Sequence, residues 1–102
     1  MTAVASWYRV YPGYQLPGNQ VVRQGQTLFA AHPWLPMGTK IRVTTQKGRS
    51  IELEVRDLGP APRVIKKDPN RTLDLTPDAA KALGFGPKGE GLMPVTIEVL
   101  SD

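Results

Sequence analysis

The sequence predicts an all-β fold, and three observations carry that expectation. Ten glycines and ten prolines in 102 residues are spread along the chain rather than gathered, so many turns must separate short elements. Apolar residues alternate with polar ones at Ile51, Leu53 and Val55 and again at Val95, Ile97 and Val99, the period of a strand with one face buried. Only the stretch from Thr76 to Leu83 carries the signs of a helix. A chain that is 40% hydrophobic and 22% charged has ordinary globular composition, and its length fits one domain over residues 1–102 with a single core.

The elements follow in order. Ala3 to Val10 is rich in β-branched and aromatic residues and reads as the first strand, ending before Pro12-Gly13. Tyr11 to Gln26 holds Pro12, Gly13, Pro17, Gly18 and Gly25 among polar residues, so it reads as a long loop with one short extended piece at Gln20 to Arg23. Thr27 to Ala31 reads as a short buried strand. The prolines of His32-Pro33-Trp34-Leu35-Pro36 then forbid helix and set a stiff corner. Ile41 and Val43 alternate with Lys40, Arg42 and Thr44, a turn follows at Gln46-Lys47-Gly48, and Ser50 to Arg56 returns as a hairpin partner. In that hairpin Lys40 and Arg42 face Glu52 and Glu54 on the outer surface.

Ala61 to Asn70 is polar, basic and proline-bearing, and reads as loop. Arg71 to Thr76 is a short strand with Leu73 and Leu75 on one face and Asp74 on the other. Thr76-Pro77-Asp78 has the N-cap, first-turn proline and acidic first turn of a helix that runs to Leu83 and stops at Gly84. Gly86 to Pro94 reads as a loop, and Val95 to Val99 as the closing strand.

Composition also bounds the function. Without cysteine there is no disulfide, thiolate nucleophile or thiolate metal ligand. No apolar run approaches the ~20 residues of a membrane helix, and Met1 leads into a β-like segment without a signal-peptide pattern. The net charge is +4 and no acid precedes Glu52, whereas Arg9, Arg23, Lys40, Arg42, Lys47 and Arg49 all do. Such a surface suits an anionic partner or is simply a solvated basic face. One histidine and scattered acids lack the spacing of metal ligands, so neither a metal nor a cofactor is expected.

The residues with chemistry to offer stand at the ends of these strands. Asp57 follows the alternating run S-I-E-L-E-V-R and enters the turn Leu58-Gly59-Pro60, where it is either a reactive acid or a side chain that hydrogen-bonds its own turn. His32 is the single histidine, and Asp74 sits in T-L-D-L-T. Trp7 and Tyr8 point to opposite faces of the first strand, one toward the core and the other free to serve as a platform.

These residues fall in motifs with a familiar order. Ala5-Ser6-Trp7-Tyr8, Ala30 to Thr44, Asp57-Leu58-Gly59-Pro60, and Leu73-Asp74-Leu75-Thr76 followed by Ala79 to Gly84 resemble the rare lipoprotein A family. There an A-S-W-Y start, an A-A-H-x-x-L-P-x-G-T-x-V-x-V-T stretch, a D-R-G-P turn and an I-D-L-S with A-A-x-x-L-G recur in that sequence. The resemblance implies a six-stranded double-psi β-barrel with one short helix, similar to the barrels of membrane-bound lytic transglycosylase A and the expansins. It implies cleavage of the MurNAc-GlcNAc bond of peptidoglycan without water, leaving 1,6-anhydro ends. Asp57 matches the catalytic aspartate. Asp74 matches the second aspartate, which either raises the proton affinity of Asp57 or is a structural cap on the psi loop and helix start. His32 matches a histidine that bonds the acid or the sugar, where a lone histidine after a buried strand is otherwise a packing residue. Trp7, Tyr8, Trp34 and Arg56 are the expected substrate contacts.

Two departures stand out. Where active relatives carry a glutamate in a T-A-S-G-E-like segment before the histidine, this chain reads Pro17-Gly18-Asn19-Gln20-Val21; and Leu58 replaces the usual arginine, which removes a donor and makes the acid's surroundings more apolar. A non-catalytic glycan-binding or wall-loosening module of the expansin kind is therefore the alternative reading. Nucleic acid is not the expected partner, because neither a dense basic stripe nor interleaved aromatics are present. The expected setting is the cell envelope, periplasmic or secreted, or a phage particle, with peptidoglycan strands as partner and the chain as a monomer.

Overall fold

The computed structural model describes residues 1–85 and 91–101. Its strands are β1 (Thr2–Trp7), β2 (Gln15–Leu16), β3 (Gln20–Val21), β4 (Ala30–Ala31), β5 (Lys40–Thr45), β6 (Ser50–Asp57), β7 (Leu73–Leu75) and β8 (Met93–Ser101), with helices α1 (Pro62–Lys67) and α2 (Pro77–Ala82). Six strands close into a barrel in the order β1-β7-β4-β6-β5-β8, and β2 pairs with β3 outside it. Two of the barrel contacts are parallel, β1 with β7 and β4 with β6; the others are antiparallel.

One wall of the barrel follows directly from alternation. Ile41 and Val43 of β5, Leu53 and Val55 of β6, and Val95 and Ile97 of β8 turn inward and are buried. Their neighbours turn outward, and the register sets Lys40 opposite Glu54 and Arg42 opposite Glu52. Because β5 lies between β6 and β8, Arg42 pairs on both sides, with Glu52 at 3.0 Å and Glu98 at 2.9 Å. These pairs are exposed and contribute little to stability; they mark the register. Gly48, at φ +87°, makes the turn of this hairpin, where Thr45 N–H donates to the Arg49 carbonyl at 2.8 Å.

The core of the barrel is completed by Ala3 and Ala5 of β1, Ala30 of β4, Leu73 and Leu75 of β7, and Ala79, Ala80, Leu83 and Phe85 from α2 and the segment after it. Thr76 caps α2 by accepting from Ala79 N–H at 3.3 Å, with Pro77 in the first turn, as the sequence signs indicated. A second, smaller cluster of Leu16, Val22 and Phe29 lies beside the barrel, with Tyr8, Val10 and Tyr14 packed on it. It gives the loop from Tyr11 to Gln26 a core of its own.

Several boundaries differ from expectation. The first strand ends at Trp7 rather than Val10. The stretch Thr27 to Ala31 contributes only Ala30–Ala31 as strand, although Phe29 is buried in the small cluster. The extended piece at Gln20 to Arg23 is β3, which stops at Val21. Ala61 to Asn70 is not all loop: it holds α1, making two short helices instead of one. No residue of α1 is buried, so no apolar stripe announced it; the available signs were Pro62 in the first turn and Lys66 and Lys67 in the last. Of the expected loop Gly86 to Pro94, residues 86–90 lie outside the described ones, and Met93 and Pro94 belong to β8.

Candidate active site

The barrel brings the expected acids to one place through strand order. β4 lies between β6 and β7, and Ala31 pairs with Asp57 on one side and Asp74 on the other. Beyond β7, Ser6 of β1 pairs with Asp74. The row Ser6, Asp74, Ala31, Asp57 therefore crosses four neighbouring strands. With strands about 4.8 Å apart, the two aspartate backbones lie about 10 Å from each other, near enough for facing side chains to interact. A regular parallel ladder from the pair Ala30–Val55 would have set Arg56 opposite Ala31. The register shifts there, and the bulge re-aims the strand end so that Asp57 takes the place instead.

Asp57 is 8% exposed and both its carboxylate oxygens are held. Tyr8 Oη donates to Oδ2 at 2.8 Å and Leu58 N–H donates to Oδ1 at 2.9 Å. Asp57 therefore bonds its own turn, as one reading of the turn acid expected, and also faces a second titratable group. Leu58 serves through its backbone alone, since its side chain is 61% exposed. The Tyr8 phenol is pushed far up, by burial first and by the Asp57 hydrogen bond and charge next, so it stays protonated near neutral pH. A phenol both donates and accepts, so the contact serves either protonation state of the acid.

Asp74 is half-buried, less enclosed than Asp57. Leu73 and Leu75 on either side of it face the core, so Asp74 takes the outer face of β7, where Ser6 Oγ donates to Oδ1 and Arg71 Nε donates to Ser6 Oγ at 3.3 Å. Burial pushes its carboxyl up, the Ser6 bond and the Arg71 charge oppose that, and the Asp57 charge adds to the rise. The turn after Asp57 closes on it: a Cβ at Gly59 would lie in ordinary contact, 3.5 Å from Asp74 Oδ2, and it is the backbone, at φ +146°, that favours glycine there.

His32 is fully buried and does not bond either carboxylate. Its Nδ1 accepts from the N–H groups of Trp34 and Leu35 at 3.3 and 3.2 Å, which turns the His-Pro-Trp-Leu-Pro corner and puts the ring proton on Nε2. Nε2 has no hydrogen-bond partner among the described residues. Burial pushes the imidazole down to about 4, so it is neutral near pH 7. Its tie to the acid runs through the backbone, His32 N–H donating to the Asp57 carbonyl at 3.1 Å.

The expected substrate contacts divide. Trp7 packs against the barrel core, whereas Tyr8 reaches Asp57, with its ring edge-on to Tyr14 at 6.0 Å. Trp34 is 61% exposed, and its ring stands edge-on to His32 at 4.7 Å. Arg56 lies on the Phe29 ring, 5.7 Å from its centroid, and lines a cleft of about 320 Å³ with the Pro17–Gln20 turn. The larger cleft, about 590 Å³ near Lys47 and Phe85, holds none of the expected site residues. Ser6, Arg71 and the phenol of Tyr8 as the partner of the acid escaped sequence reasoning. Ser6 and Tyr8 both stand in the A-S-W-Y motif, the one signal that pointed to them. Among the described residues no three His, Asp or Glu side chains gather as metal ligands do, and no helix is long and apolar enough to cross a membrane.

Comparison with known proteins identifies the family of this barrel. The lytic transglycolase family model matches residues 1–97. A probable endolytic peptidoglycan transglycosylase RlpA of Nostoc sp. is 43% identical over 76 residues, covering 74% of this chain and 18% of that protein. The endolytic peptidoglycan transglycosylase RlpA of Pseudomonas aeruginosa is 35% identical, over 93% of this chain and 28% of its own length. That of Rickettsia bellii is 34% identical, over 97% and 42%. The chain thus spans less than half the length of these relatives. It carries the barrel, the paired aspartates and the motif order together, and it belongs to the lytic transglycolase family of double-psi β-barrels.

Proposed function

We propose that the chain is the catalytic barrel of a peptidoglycan lytic transglycosylase acting in the cell envelope. The observation that carries this is the placement of Asp57 and Asp74 on the two sides of Ala31. In the reaction Asp57 gives its proton to the leaving glycosidic oxygen as the bond from the MurNAc C1 breaks. The C6 hydroxyl of the same sugar closes on C1, and its proton passes to the Asp57 carboxylate, which restores the acid. No water is consumed, so no second carboxylate is needed to activate one. Asp74, whose proton affinity burial raises, supplies the neighbouring carboxyl. Tyr8 and the Leu58 N–H fix the Asp57 oxygens. His32, neutral, holds the corner that presents Trp34 to a sugar ring.

Purified sacculi incubated with the native chain are expected to release anhydro-muropeptides detectable by mass spectrometry, and Asp57→Asn to release none. A second reading is favoured by one feature. The acid-free segment Pro17–Val21 forms the β2–β3 turn and β3 itself, with Gln20 toward Arg56 at 3.5 Å, so the barrel would bind glycan without cutting it. Sacculus binding by the native chain with no anhydro products would favour this reading and remove the enzymatic one.

A further inference from the structure

The cleft beside the acid has a chemistry of its own. It is lined by the β2–β3 hairpin at Pro17 and Gln20, by the corner at Met37 and Gly38, and by Glu54 to Arg56. At about 320 Å³ it is within the size of small-molecule sites, which start near ~300 Å³. Arg56 precedes Asp57 on β6, so the cleft adjoins the catalytic end of the strand.

The guanidinium of Arg56 is oriented but under-used. Its side chain is 23% exposed and it rests over Phe29, which belongs to the small core beside the barrel. Its polar contacts are long: Nη2 lies 3.5 Å from Gln20 Oε1 and Nε lies 3.7 Å from Glu54 Oε1. A well-formed N–H···O bond is about 2.7–3.2 Å, and the group has five donors. A planar fork held in place with donors unspent suits a carboxylate taken in two-point fashion.

We propose that this cleft is a subsite for the muramyl residue of the glycan, with Arg56 binding a carboxylate which that residue carries. The proposal rests on the glycan reading above. GlcNAc and MurNAc differ in the lactyl ether on the latter, so a cation at this point distinguishes the alternating sugars and sets which bond lies over Asp57. The carboxylate is either that of the lactyl group itself or one on an attached peptide. Glu54 is then a competitor for Arg56 rather than a ligand contact.

Calorimetric titration tests this, with Asp57→Asn as the background so that no probe is consumed. Three probes carry equal numbers of sugars: a chitin oligosaccharide, a peptide-free glycan of alternating GlcNAc and MurNAc, and the same glycan with its peptides. At least one muramyl probe is expected to bind about tenfold tighter than the chitin oligosaccharide, the scale of one charge-assisted hydrogen bond. Which of the two does so identifies the carboxylate. Adding Arg56→Gln is expected to level the affinities, Arg56→Lys to restore part of the difference, and Glu54→Gln to enlarge it, with melting curves confirming each fold. An unchanged ratio in Arg56→Gln overturns the assignment, as does equal binding of all probes by the Asp57→Asn background. Failure of the catalytic reading would show separately, as absence of anhydro products from the native chain with this ratio intact.

Discussion

The β5–β6–β8 wall and the β1–β7–β4 side of the barrel bury different things. On the wall the inward residues are Ile41, Val43, Leu53, Val55, Val95 and Ile97, with charges turned outward. On the other side, and at the end of β6 that meets it, the buried set includes Ser6, His32, Asp57 and Thr76 as well as alanines, Leu73 and Leu75, and Asp74 lies partly buried among them. Apolar burial stabilises, whereas burial of polar and ionisable groups costs stability unless each finds a partner. The wall therefore holds the barrel closed, and the acid side offsets some of that stability by burying polar and ionisable groups. Substitutions on the two sides should separate stability from function.

The largest effect on folding is expected on the wall. Ile41 is fully buried, and Ile41→Ala should cost about 2–5 kcal/mol, as buried aliphatic truncations do, read as a drop in the chemical-denaturation midpoint. A loss below 1 kcal/mol would place the stabilising core elsewhere. The acid side should respond to pH instead. His32 has a pKa near 4 in the fold against 6.5 free, so the unfolded chain takes up the proton first as pH falls. Stability present above pH 6.5 is then lost progressively toward pH 4, by up to about 3 kcal/mol. His32→Gln should flatten that part of the pH profile relative to the native chain, and an unchanged slope would contradict the buried neutral imidazole.

The smallest effect on stability, and the most telling in sign, belongs to Asp74. Its proton affinity is raised in the fold, so its contribution is favourable at low pH and fades as pH rises through the folded value. Asp74→Asn should therefore melt at or above the native temperature at pH 7, with the advantage shrinking in acid, while release of anhydro products falls. A melting temperature several degrees lower at pH 7 would mean that Asp74 is a structural cap.

The same division governs what the sequence revealed. The wall was legible because period-two alternation and the outward pairs Arg42–Glu52 and Lys40–Glu54 follow from the pleat. The α2 start was legible because Thr76, Pro77 and Asp78 each act locally. Helix α1 was not, because none of its residues is buried. Of the candidate site, Asp57, Asp74 and His32 were singled out through motif order, but their relations were not. The step that sets Asp57 opposite Ala31 is a register shift, and Ser6 and Tyr8 reach the acids only because β1 closes beside β7. Such contacts arise from strand pairing across the barrel, which no local pattern encodes. His32 also shows the limit: the motif implied a bond to the acid or the sugar, whereas its Nδ1 is occupied by two backbone N–H groups.

The division is tested most directly by measuring release of anhydro-muropeptides from sacculi, per folded molecule, for Asp57→Asn and Ile41→Val side by side. The expected result is opposite behaviour. Asp57→Asn should melt close to the native chain and lose at least about 100-fold in rate, the scale of general acid–base catalysis. Ile41→Val should melt lower and release product at the native rate. Native-rate release by Asp57→Asn would contradict the assignment of Asp57 as the proton carrier.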